Sequence, residues 1–134
     1  MKELINKVKE FNKAFNVESS MFPSLVDEKT YKLREKLMKE ENDEYLEACE
    51  SKYLTGVLDA LCDMQYILLG TIITHGLEDV FVDAFNEVHR SNMSKLDSDG
   101  RPVINGVQVF DVSKPMGKIL KSSLYSQPNI GQFL

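Results

Sequence analysis

The chain has only two cysteines, Cys49 and Cys62, and they form no Cys-x-x-Cys pair. A disulfide framework therefore has no basis, and reduced thiols are expected. Basic residues are in deficit: 16 against 21 acids, for a net charge of -5. That argues against a nucleic-acid partner, since backbone binders carry a basic excess. No glycine-rich phosphate loop is present, because Gly70 and Gly76 fall in or at the end of a helical pattern. No serine, cysteine or lysine has the neighbours of an activated nucleophile. Met1 to Lys7 is amphipathic and lacks a charged start followed by an apolar run. The expected location is the cytoplasm. Long uninterrupted apolar runs are missing too. The most apolar stretch, Val57 to Ile73, is broken by Asp59, Asp63 and Gln65. It reads as a buried core helix, with no membrane partner implied.

What is present is helical periodicity in a chain of 134 residues, the size of one domain. Leu4, Ile5, Val8, Phe11 and Phe15 mark a first helix from Lys2 to Phe15. Asp27 is the N-cap of a second, running to about Glu50. A third runs from about Leu54 to His75, stopped by Gly76. A fourth runs from Leu77 or Glu78 to Ser94. Beyond Lys95 come Asp97-Ser98-Asp99-Gly100 and Pro102, then Asn105-Gly106 between β-branched runs, a cue for a short hairpin. The fold class expected is all-α: a bundle of about four helices with an irregular tail. It forms a single domain over 1–134, with core helices at about 2–95 and the tail at 96–134. The third helix is apolar almost all round, so it needs burial on most sides. Pairing between subunits would complete that burial.

The acids fall where core residues belong. At about 100° per residue, Leu33, Leu37, Glu41, Glu44 and Ala48 share one stripe of the second helix, with Glu40 at its edge. Thr55, Asp59, Asp63, Tyr66 and Gly70 share one stripe of the third. Inward carboxylates are costly unless neutralised, paired or bound to metal. Their spacing of three and four residues lets each helix offer two acids to one cation. Magnesium prefers such hard oxygen ligands and keeps several waters. On the fourth helix, Phe81, Phe85, Val88, Asn92 and Lys95 share a stripe. Its last turn thus presents Asn92 and Lys95, with Arg90 beside them, a set suited to phosphate. A di-iron bundle is disfavoured, because neither His75 nor His89 has an acid three residues before it.

These residues resemble the MazG-like and phosphoribosyl-ATP pyrophosphohydrolase superfamily, over roughly residues 25 to 130. Glu41 and Glu44 look like its Glu-x-x-Glu motif. Asp59-Ala60-Leu61-Cys62-Asp63 looks like its Glu-x-x-Asp motif, with Ala60 standing where the family has Glu. Phe85 to Leu96 and the tail around Gly117-Lys118-Ile119-Leu120-Lys121 are similar to one MazG-like subgroup. The resemblance implies hydrolysis of a (deoxy)nucleoside triphosphate to the monophosphate and pyrophosphate. It implies magnesium, with manganese as a substitute, on Glu41, Glu44 and Asp63. Asp59 or Glu40 would be needed for further metals. Glu40 would orient or deprotonate the attacking water, with Glu41 in the same catalytic pair. Arg90, Asn92 and Lys95 would hold phosphates, with Lys118 and Lys121 closing from the tail. The family's habit implies a homodimer or homotetramer. The Ala60 departure keeps open a non-catalytic helical adaptor on the same fold.

Overall fold

The computed structural model describes residues 1–134. Four helices carry the chain: α1 (Lys2–Ala14), α2 (Glu28–Glu50), α3 (Leu54–Thr74) and α4 (Phe81–Met93). Two short strands, β1 (Val103–Ile104) and β2 (Ile119–Leu120), and a final 3-10 turn at Ile130–Phe133 complete it. The all-α class expected from the sequence is what forms. Packing divides the chain into residues 1–81 and 82–134, so α4 groups with the segment expected as tail. Each unit is described by itself.

In the first unit α1 and α2 both pack on α3. α1 buries Ile5 and Val8, at helical spacing, against Leu69, Ile72 and Ile73, with Leu77 and Phe81 packed alongside. Phe11 stacks on Phe15 at 4.4 Å between ring centres and meets Tyr66 edge-on at 5.6 Å. Asp27 caps α2 as expected, its carboxylate accepting from the Thr30 N–H at 2.7 Å. The Thr30 side chain first, and this backbone bond second, hold the Asp27 pKa down. Only Ser51, Lys52 and Tyr53 separate α2 from α3, a helical hairpin connection. Where the two helices leave that turn, Ala48 and Gly56 let them approach closely. A Cβ on Gly56 would lie 3.2 Å from that of Ala48 and 2.6 Å from the Tyr53 ring.

α3 ends at Thr74, and Gly76 takes the left-handed conformation (φ 66°) that stops it. The α1–α2 loop straps this end. Ser20 N–H donates to the Thr74 carbonyl, and Ser24 N–H to that of His75. A side chain on Gly76 would collide with the Phe22 carbonyl.

Two helical expectations need correction. α4 begins at Phe81, because Leu77 to Val80 form a turn that puts Leu77 and Phe81 against the core. There Glu78 meets Lys9 at 2.8 Å. α3 is also not buried on most sides of this chain. Leu69, Gly70, Ile72, Ile73 and Thr74 are buried, but in its first half only Ala60 is. Leu54 and Leu58 are 80% and 63% exposed. α3 is the one helix long and apolar enough, by length and composition, to cross a membrane.

In the second unit the hairpin expected at Asn105-Gly106 does not form. β1 instead pairs antiparallel with β2, Val103 opposite Leu120. The reason is Asn105, only 1% exposed. Its Nδ2 donates to the carbonyls of Asp111, Lys114 and Pro115, and its Oδ1 accepts from the Asp111 N–H. An amide spent on the interior of a loop cannot sit at the tip of a two-residue turn. α4 is fixed to the chain's end through Glu87, which accepts from Arg90 Nε and Nη2 at 2.8 Å and from the Asn129 N–H at 2.8 Å.

These bonds, Arg90 first and the Asn129 N–H second, pull the Glu87 pKa from 4.5 to about 2. A carboxylate lowered on folding contributes stability above its ordinary pKa and loses it as pH falls through the folded value. The protection factor of the Asn129 amide should therefore hold at pH 5 and fall as pH drops from 4.5 toward 2. Glu87→Ala, which removes the acceptor, should give the low value at every pH. Equal protection in the two proteins would refute this reading.

Candidate metal and phosphate site

Along α2 the inward positions are Arg34, Leu37, Met38, Glu41 and Ala48. Glu41 is the shielded acid of this face. Its Oε2 is buried and has no hydrogen-bond partner. Desolvation, chiefly, raises the Glu41 pKa, followed by the charges of Glu44, Asp63, Glu40 and Asp59. The carboxylates picked from the two helices thus form one electrostatic cluster centred on Glu41.

The environment of the others differs from expectation. Glu40, Glu44, Asp59 and Asp63 are exposed. They occupy the stripes expected, but the first half of α3 is open to solvent, so they do not sit in a core. Glu40 lies 3.7 Å from Lys36, an exposed pair. No three His, Cys, Asp or Glu side chains are gathered closely enough to hold a metal ion. The donor chemistry still fits a hard divalent cation. A buried, unpartnered carboxylate oxygen that four other acids push further from ionisation is relieved by a proton or by a cation.

The phosphate-holding candidates lie in the second unit. Lys95 Nζ donates to Asn92 Oδ1 at 2.8 Å, which leaves further donors on both side chains. The Arg90 guanidinium clasps Glu87 through Nε and Nη2 and donates from Nη2 to the Gln127 carbonyl at 3.1 Å, which leaves its Nη1 donors. Lys121 Nζ lies 4.3 Å above the Tyr125 ring, a cation–π contact. Lys118 is exposed, and only its backbone is engaged.

Arg34 was missed from the sequence. It stands two helical turns before Glu41 on the same face of α2 and reaches across to α3. Gly70, on the stripe of Asp63, was the available signal: a glycine inside a helix often marks the close approach of something large.

The family model for phosphoribosyl-ATP pyrophosphohydrolase matches residues 8–92, well over half of the chain. It starts earlier than the resemblance noted above, and it leaves the tail's likeness to a subgroup uncovered. No curated protein matches the chain. The match supports a pyrophosphohydrolase acting on the acid anhydride of a nucleotide. With Glu41, Glu44 and Asp63 all inside the matched segment, the chain belongs to the phosphoribosyl-ATP pyrophosphohydrolase family, within the MazG-like all-α nucleoside triphosphate pyrophosphatases.

Proposed function

We propose that the protein hydrolyses a (deoxy)nucleoside triphosphate to the monophosphate and pyrophosphate, with magnesium or, in its place, manganese. The observation that carries this reading is the buried, unpartnered Glu41 oxygen within electrostatic reach of Glu40, Glu44, Asp59 and Asp63. Glu41, Glu44 and Asp63 would hold the cation, and Asp59 would join for a second. Bound there, magnesium supplies charge neutralisation on the phosphate oxygens. Glu40, exposed beside the cluster, orients the attacking water and takes its proton. The α–β anhydride bond breaks, and pyrophosphate leaves with the electron pair. Asn92 and Lys95 hold the phosphate chain, and Lys118 and Lys121 approach it from the tail.

The same reading makes the protein a cytoplasmic enzyme of nucleotide-pool housekeeping, with no nucleic-acid or membrane partner. It acts as a homodimer or homotetramer. The exposed leucines of α3, Leu54, Leu58 and Leu61, support a subunit interface on that helix.

The test is pyrophosphate release from ribo- and deoxyribonucleoside triphosphates, with phosphoribosyl-ATP in the same panel. Release with magnesium or manganese, abolished by chelation, is the expected result. Preference for phosphoribosyl-ATP would replace the triphosphate substrate. Silence across the panel, with magnesium failing to raise the Tm, would leave the helical adaptor as the reading.

A further inference from the structure

Arg34 is anchored from one side only. Its Nε donates to Thr71 Oγ1 at 3.0 Å and its Nη2 to the Ile67 carbonyl at 2.7 Å. Thr71 Oγ1 itself donates to that carbonyl, so the two acceptors are locked together. The guanidinium lies over Gly70, where a Cβ would come within 2.7 Å of Nη2. A helical glycine, which costs about 1 kcal/mol against alanine, is what makes this approach possible.

The fork geometry decides what remains. A guanidinium has five N–H donors in one plane. The edge made by Nε and Nη2 is spent on α3. The opposite edge, the parallel N–H groups of Nη1 and Nη2, has no acceptor in the protein. Arg34 also makes no ion pair, although Glu35 lines the same cavity. A half-buried cation without a counter-charge is costly, and burial indeed lowers its pKa.

Arg34 borders an open groove of about 530 Å³ between α2 and α3, lined also by Met38, Asn42 and Met64. That volume suits a small-molecule ligand. None of the clustered acids lines this groove, but Arg34 and Glu41 share one face of α2. Seven residues separate Arg34 from Glu41, about 10 Å along the helix at 1.5 Å per residue. A nucleotide held at the acids by its phosphates has the reach to meet Arg34.

Resting on the function proposed above, we infer that Arg34 is a nucleotide-binding residue whose free fork binds two parallel acceptor atoms of the nucleotide. Two parts of a nucleotide offer such a pair. One is a phosphate, through two of its oxygens. The other is a base edge with adjacent acceptors: O6 and N7 of guanine, or O2 and N3 of cytosine. Adenine places an amino group beside its ring acceptors, and uracil an N–H between its carbonyls, so neither offers the pair.

The experiment is calorimetric binding of GMP, CMP, AMP and UMP with magnesium present. The proteins are wild type, Arg34→Met and Arg34→Lys. Monophosphates are not cleaved at an anhydride, so binding is read whether or not the protein turns over triphosphates. Failure of pyrophosphate release in wild type then counts against the proposed activity alone. Arg34→Met keeps the aliphatic stem. Arg34→Lys keeps the charge without the fork, and guards against a misfolded first variant.

Weakening of all four ligands by roughly 10-fold, as loss of charged hydrogen bonds predicts, would assign the fork to phosphate. The same loss for GMP and CMP alone would assign it to the base. Unchanged affinities in both variants, or no binding to wild type, would overturn the inference. A purely structural tether would lower the Tm and leave all four affinities of the folded variants unchanged.

Discussion

Glu41→Gln is expected to reduce pyrophosphate release by roughly 100-fold or more, as loss of a primary metal ligand does, while leaving the protein folded. The substitution keeps the shape of the side chain and removes its charge. In chelator the variant should be at least as stable as wild type at neutral pH. The sign follows from the raised Glu41 pKa, which burial causes first and Glu44, Asp63, Glu40 and Asp59 reinforce. A carboxylate whose folded pKa lies above its unfolded value of 4.5 destabilises the fold when ionised. That penalty is full above the raised value. It is relieved as pH falls through the raised value toward 4.5. The difference in Tm between variant and wild type should therefore shrink from pH 7.5 to pH 4.5 in chelator. Magnesium should raise the Tm of wild type and leave the variant nearly unmoved. A variant that is less stable than wild type in chelator, or that still gains from magnesium, would remove Glu41 from the metal site.

Ala60→Glu should produce the largest loss of stability. Ala60 stands where the family's second motif has its glutamate, yet it is 3% exposed, while Asp59 and Asp63 on either side are open to solvent. A carboxylate there would be forced into packed surroundings close to an acid cluster. An unpaired buried charge costs about 3 kcal/mol or more, so the Tm in chelator should fall by about 10 °C. Magnesium should recover more of that loss than it adds to wild type, since a cation is the one partner the new charge would find. A Tm in chelator equal to that of wild type would show that this part of α3 opens readily to water. A metal response identical to wild type would show that Ala60 faces away from the cation.

Most of the helical framework was readable from local chemistry. Asp27 and Gly76 mark their helix ends through side-chain capping and left-handed backbone, both properties of single residues. The acid stripes on α2 and α3 were readable because periodicity survives any packing arrangement. Burial was less so. Leu33 belongs to the apolar stripe, yet it is 53% exposed, while Arg34 beside it turns inward. Hydropathy cannot foresee that, since the reason is a glycine and a threonine on another helix. The exposed first half of α3 escaped for a related reason: composition states what a helix needs, and only packing states what it receives. Asn105 misled because Asn-Gly favours a tight turn only while the asparagine side chain stays outside.

The contact between Ala48 and Gly56 gives the metal site a mechanical character. It lies about one helical turn from Glu44 on α2 and from Asp59 on α3. Two stiff rods that cross at a fulcrum open in proportion to the thickness of what separates them there. The gap across which carboxylates from the two helices must share an ion is therefore set by a pair of uncharged residues, through the missing methyl of Gly56. On the proposed function, affinity for the cation would be a matter of leverage as much as of ligands.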